Sequence, residues 1–97
     1  MLVNERNTPE GRLVSVCDEN VLGETFENNG VPFEVTTEFY DGERADEEQV
    51  IASLARARVA NIVGSQSVSL AIEHGFIEEA NVLDLGGTTH AQLLRLG

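Results

Sequence analysis

The chain has 97 residues, 41% of them apolar, which suits one domain with a real core and is too few for two. Its six basic residues are all arginine and meet 17 acidic ones, so the net charge is −11, which by itself opposes nucleic acid and anionic membrane as partners. One cysteine excludes an internal disulfide framework and a cysteine-rich zinc ribbon, no apolar run is long enough to span a bilayer, and the opening MLVNER lacks the apolar stretch of a secretion signal.

The first third reads as β-structure. Leu2 to Arg6 is a short strand, Thr8-Pro9-Glu10-Gly11 a turn with proline second and glycine fourth, and Arg12 to Asp18 a returning strand. The apolar residues of that strand fall on both faces, Leu13 and Cys17 against Val14 and Val16, as a central strand requires. Asp18 is placed to cap one helical turn that stops at Gly23. Glu24–Glu27 and Pro32–Tyr40 flank Asn28-Asn29-Gly30, and Asn-Gly is a strong hairpin signal. The second arm alternates, with Phe33, Val35, Thr37 and Phe39 on one face and Glu34, Thr36 and Glu38 on the other.

After Asp41-Gly42 the period changes. Asp46 with Gln49 resembles a capping box, and Glu47 and Glu48 suit the positive end of a helix dipole. Ile51, Leu54, Ala55, Val59, Ile62 and Val63 form a stripe at helical spacing, which predicts one helix closed by a left-handed cap at Gly64. Ser65 then caps a shorter helix through His74, with Val68, Ala71 and Ile72 inward, Gly75 ending it and Phe76 folding back. Val82 to Leu85 is a short strand, Gly86-Gly87 a turn, and Thr88 to Leu96 a last strand. The expected class is α+β: a small antiparallel sheet built from hairpins, with two consecutive helices on one face, as one domain over residues 1–97.

Most chemistry-bearing groups have an ordinary reading. Glu47-Glu48, Glu78-Glu79 and the Asp41–Asp46 segment lack the ligand density of a calcium loop, and read as a solvated acidic surface. Cys17, His74 and His90 are far apart, with no pair at helical metal-ligand spacing, so neither a metal nor a cofactor is expected. Thr89 and His90 are neighbours on a strand and point to opposite faces, and no Gly-x-Ser-x-Gly elbow is present. Gly64-Ser65-Gln66-Ser67 opens a helix and would suit a phosphate on its backbone N–H groups, but turn chemistry explains it as well. Arg44, Arg56 and Arg58 are half of the basic residues and suit either phosphate or nearby glutamates. Gly86-Gly87-Thr88-Thr89-His90-Ala91-Gln92 is the densest stretch: its side chains suit a ligand or a base edge, and its glycines permit close approach of another backbone.

The lysine-free, evenly acidic composition is that expected of a protein from a salt-loving source, where charges are screened within about 3 Å at molar salt. In such a cell acidity is no argument against RNA. The tract Phe39-Tyr40-Asp41-Gly42, then Ala60-Asn61-Ile62-Val63-Gly64, then Val68-Ser69-Leu70-Ala71-Ile72 with Gly75, and finally Gly86-Gly87 with His90-Ala91-Gln92 resemble the small archaeal family called domain of unknown function 424. The composition resembles its haloarchaeal branch, and Thr88-Thr89 depart from the larger residue expected after the two glycines. The resemblance implies a compact α+β domain in an archaeal cytoplasm and an association with translation and ribosome maturation.

Three functions follow in order. The first is a non-catalytic accessory binding protein of the ribosome, translation proteins or RNA processing. Its candidate contacts are Tyr40, Arg44, Asn61, Ser65, Gly86, Gly87, His90 and Gln92: arginine on phosphate, Tyr40 stacked on a base, and the imidazole and amides as hydrogen-bonding groups. That reading requires Asn61 and His90 on one face. The second is a homo-oligomeric or partner-bound module pairing through the C-terminal strand. The third is a small hydrolase with His90 as general base, which needs a cavity and a carboxylate beside the imidazole.

Overall fold

A computed structural model describes residues 1–96. Eight strands and three helices run in the order β1 (Leu2–Thr8), β2 (Gly11–Cys17), β3 (Thr25–Asn28), β4 (Val31–Glu34), α1 (Thr37–Tyr40), β5 (Glu43–Arg44), α2 (Glu47–Arg56), β6 (Val59–Val63), α3 (Ser65–Glu73), β7 (Leu83–Asp84) and β8 (Thr89–Leu94). The fold is mixed α+β. A six-stranded sheet has the order β5-β1-β2-β6-β8-β7, and β3-β4 form a separate two-stranded antiparallel sheet. The main sheet is larger than expected, and β2 and β6 pair in parallel while its other neighbours are antiparallel.

The expected long helix is two elements. Its start is as read: Asp46 accepts the Gln49 N–H at 2.8 Å and Gln49 Oε1 accepts the Asp46 N–H at 2.9 Å, a complete capping box. The helix stops at Arg56, not at Val63. Ala57 is extended, and one guanidinium nitrogen of Arg95 donates to the carbonyls of Leu54, Ala55 and Ala57 at 2.9, 3.3 and 2.6 Å. The Ala57 N–H also reaches the Leu54 carbonyl at 3.2 Å, whereas the next carbonyls lie where a helix runs out of N–H partners, and a cation there also suits the dipole. Val59–Val63, rich in β-branched residues, becomes the central strand β6, with Ala60 and Ile62 on one face and Val63 on the other, all fully buried. Gly64, at φ +115°, precedes α3 instead of closing α2. The two helices are therefore separated by a strand, yet both pack on the same face, in one core with Val14, Val16, Ala60, Ile62 and Ala91.

The second arm of the hairpin is also shorter than its alternation suggests. Asn29 at φ +53° and Gly30 at φ +79° make the expected turn, with Phe26 opposite Phe33. The strand ends at Glu34. The Tyr40 N–H then donates to the Thr36 carbonyl at 2.9 Å and the Asp41 N–H to the Thr37 carbonyl at 3.0 Å, a single helical turn. That turn sends Tyr40 into a second core with Leu2, Cys17, Val21, Val35, Val63 and Leu85, on the other face of the sheet. Burial of each such side chain is worth about 1.5–3 kcal/mol, more than the propensity lost by ending the strand. Helix α3 ends as read: the Phe76 N–H reaches the Ala71 carbonyl and the Gly75 N–H that of Ile72, with Gly75 at φ +77°. The last strand is Thr89–Leu94, shorter than Thr88–Leu96, and at its start it is covered by β7.

Candidate functional site

Strand alternation arranges the face opposite α2 and α3 in three rows that cross β1, β2, β6 and β8. Leu2, Cys17, Val63 and His90 form the first row, Asn4, Ser15, Asn61 and Gln92 the second, and Arg6, Leu13, Val59 and Leu94 the third. The hairpin covers the first row. The Phe33 ring lies 5.0 Å from that of His90, tilted by 46°, and burial pushes the imidazole below its usual 6.5, favouring the neutral ring. Helix α1 packs over the β1–β2 side of the next rows. Toward β6 and β8 they are open: Asn61 and Val59 are half-buried, Gln92 is exposed, and Leu94 is 60% exposed.

The polar row has two halves. Asn4 is held, its Nδ2 donating to the Asp41 carbonyl at 2.8 Å and its Oδ1 accepting from Arg6 Nε at 3.1 Å. Arg6 also donates to the Glu38 carbonyl and lies 5.5 Å over the Phe39 ring. Ser15 is buried beside it. Asn61 and Gln92 stand directly opposite each other on adjacent strands, and their amides make no side-chain hydrogen bond among the described residues. Opposed side chains start about 5 Å apart, so the pair presents two acceptors and four N–H donors in one small area.

Asn61, His90 and Gln92 thus share one sheet face, and the other expected contacts do not join them. Tyr40 is 4% exposed, and burial pushes its hydroxyl up to about 12. Its ring packs edge-on against Phe39 at 5.0 Å and is not available to stack on a base. Arg44 sits on edge strand β5, paired with Glu19 at 3.0 Å, with β1, β2 and β6 between it and β8; at about 4.8 Å per strand it is roughly 19 Å from Gln92. Ser65 opens α3 beyond the end of β6 and is exposed. Gly86 and Gly87 do permit a close approach, but by the chain's own hairpin: a Cβ on Gly86 would lie 2.6 Å from the Glu27 carbonyl oxygen, and one on Gly87 3.4 Å from the Phe26 ring.

The α3 loop is occupied as well. The Asp18 carboxylate accepts the Gln66 N–H at 3.0 Å, the Ser67 N–H at 2.8 Å and the Ser67 hydroxyl at 2.6 Å. It fills the place a phosphate would take, so Asp18 serves α3 and not the short 3₁₀ turn Glu19–Val21 that follows it, where its side chain makes no cap. The sequence reading missed this link because it joins residues 48 and 49 positions apart. It also missed Glu5, whose carboxylate takes Ser53 Oγ at 2.6 Å, Arg56 at 2.8 Å and Arg12 at 3.0 Å. Ser53, Arg56, Arg44 and Gln49 line an open groove of about 570 Å³ beside Glu5. The Ser53 bond, with the two arginines, lowers the Glu5 carboxyl below 4.5 against the opposing effect of burial, so this carboxylate is a weak base. His90 lines neither this groove nor the smaller one at the β1–β2 turn, and among the described residues no carboxylate orients its ring. Among the described residues no group of three His, Cys, Asp or Glu side chains is placed to hold a metal, and no helix is long and apolar enough to cross a membrane.

Residues 5–96 match the family model described as "Protein of unknown function (DUF424)", and the chain belongs to that family. No curated protein matches it. It is similar in fold to a solved structure described as an uncharacterized conserved protein from Methanopyrus kandleri, with a TM-score of 0.76 and 22% identity over 99% of this chain and 94% of that one.

Proposed function

We propose that this member of the family is a non-catalytic accessory binding protein of the translation or RNA-processing machinery, acting in a salt-rich archaeal cytoplasm. Its contact face is the open half of the main sheet, with Asn61 and Gln92 at the centre and Val59 and Leu94 beside them. The observation that carries the reading is the unpartnered amide pair. Each amide matches the donor–acceptor edge of a base or a peptide, and a sheet face accepts single-stranded RNA because unstacked bases lie flat against it. The lysine-free composition supports work in multimolar salt, where contact-range hydrogen bonds count for more than long-range attraction. A general-base role for His90 has no such support, because the ring packs against Phe33 and, among the described residues, lacks an orienting carboxylate.

The test is sedimentation of the tagged protein from a high-salt lysate, with RNA and protein identified in each fraction. Wild type co-migrates with a ribosomal subunit or another RNA particle. Asn61→Ala with Gln92→Ala removes two hydrogen-bonding groups at about 0.5–1.5 kcal/mol each, which weakens association roughly tenfold and moves protein to the top of the gradient. Migration of the wild type as a free species without RNA refutes the reading.

A further inference from the structure

We propose that the outer edge of β8 is a self-association surface, where a second copy of this chain pairs antiparallel to its own image about a two-fold axis near Leu93–Leu94. β8 is an edge strand for most of its length. β7 covers only Thr89 and His90. The odd-numbered residues turn their backbone groups toward β6: the Thr89 carbonyl accepts from Gly64 and the Arg95 N–H donates to Arg58. The even-numbered ones turn outward, as the Thr88 carbonyl does in accepting from Leu85. Alternation therefore leaves the N–H and C=O groups of Gln92 and Leu94 pointing off the sheet, with no strand of the described residues beside them.

Edges of this kind are usually blunted by charge, proline or a bulge. Here the seven residues Thr88–Leu94 carry no charge in a chain of net charge −11, and the next arginine, Arg95, is engaged on the carbonyls at the end of α2. A large apolar side chain is exposed at this edge, Leu94 at 60%, and a second follows two residues past the strand, Leu96 at 82%. A second copy is the fitting occupant. The free groups recur at a spacing of two residues, so the strand run backwards matches itself and both copies satisfy the same outward groups, which is the condition for a closed two-fold interface. The segment also brings no charge to meet its own image, whereas the rest of the surface of either copy is strongly acidic. Pairing would place the two Asn61–Gln92 amide pairs on one continuous sheet. In that respect it extends the binding face proposed above, although the pairing itself does not depend on that face binding RNA.

Light scattering coupled to gel filtration in multimolar KCl tests the idea. Wild type elutes at twice the 10.5 kDa chain mass. Leu94→Lys places a charge on the edge at a site already open to solvent, so folding is retained by circular dichroism and the mass falls to that of one chain. Leu94→Cys under oxidation yields a covalent dimer, while Val31→Cys, on the hairpin tip and 66% exposed, does not. A wild-type monomer at high micromolar concentration, or a dimer that persists in Leu94→Lys, overturns the proposal. A mixed complex formed through β8 with an extended segment of another protein, without the homodimer, overturns it as well. A dimer that binds no RNA leaves this inference standing and removes only the RNA reading.

Discussion

Replacing Asp18 by alanine should destabilise the fold by about 3 kcal/mol. A solvent-exposed helix cap lost to alanine costs about 1 kcal/mol, because water takes over the freed N–H groups. Here Asp18 is 6% exposed and Ser67 fully buried. The part-buried N–H of Gln66, an exposed residue, can recover water, but the buried N–H and hydroxyl of Ser67 cannot, and an unsatisfied buried polar group costs about 1–3 kcal/mol. The two contributions sum to roughly 3 kcal/mol, equivalent for a domain of this size to a melting temperature lower by about 12–24 °C. Denaturant titration in the presence of high salt is the assay, and the loss should be insensitive to further salt because the carboxylate is out of solvent. The double variant Asp18→Ala with Ser67→Ala removes the orphaned hydroxyl and should recover about 1 kcal/mol of the loss. A loss below about 1 kcal/mol for the single variant, or no coupling between the two, would refute the reasoning and return Asp18 to the role of a surface cap.

Two pH effects follow from the perturbed groups. Glu5 has its carboxyl lowered below 4.5 in the folded state by Ser53, Arg56 and Arg12, so the stability it contributes is full above 4.5 and is lost as pH falls through its folded value. Glu5→Gln should be less stable than wild type near neutrality and should show a flatter acid limb, and an unchanged limb in chemical denaturation from pH 6 to pH 3 would contradict that. His90 is lowered below 6.5 by burial, so its folded site favours the neutral ring, and its contribution is present above 6.5 and declines as pH falls. Its ring protons should titrate by NMR with a midpoint below 6.5; a midpoint at or above 6.5 would mean that the ring is solvated and the packing on Phe33 is wrong.

The parts of the fold that could be read from sequence were those whose signals are local. The Asp46–Gln49 capping box, the Asn29-Gly30 turn and the Gly75 cap with Phe76 are each complete within a few residues, and each is present. The errors came where a distant residue decides. Val59–Val63 continues the helical stripe of α2, and only Arg95, brought in by the last strand, shows where that helix ends. Thr37 and Phe39 continue the alternation of β4, and only the second core, which needs Tyr40, shows why the chain turns. The site followed the same rule. That Asn61, His90 and Gln92 share a face depends on a register between β6 and β8 that no short-range pattern specifies, and the filling of the Gly64–Ser67 loop by Asp18 depends on β2 lying beside β6.

This division gives a criterion for where function lies in so small a domain. A chain of 97 residues has little apolar surface to bury, so its polar groups must close the fold as well as serve any ligand. Most of them do the former. Asp18 closes the start of α3, Arg95 the end of α2, Glu5 gathers Ser53, Arg12 and Arg56, and Gly86 admits the backbone of the hairpin. Groups with an internal partner are explained by stability alone and lend no weight to a ligand. Among the described residues the Asn61–Gln92 amides and the outward backbone groups of Gln92 and Leu94 have no such partner, and they are adjacent, at one edge of one sheet face. Their adjacency decides what each variant tests. A charge introduced at Leu94 should abolish self-association and, because Leu94 also borders the amide pair, is no separate test of the proposed RNA contact, whereas loss of the two amides should weaken that contact and leave the paired strands intact.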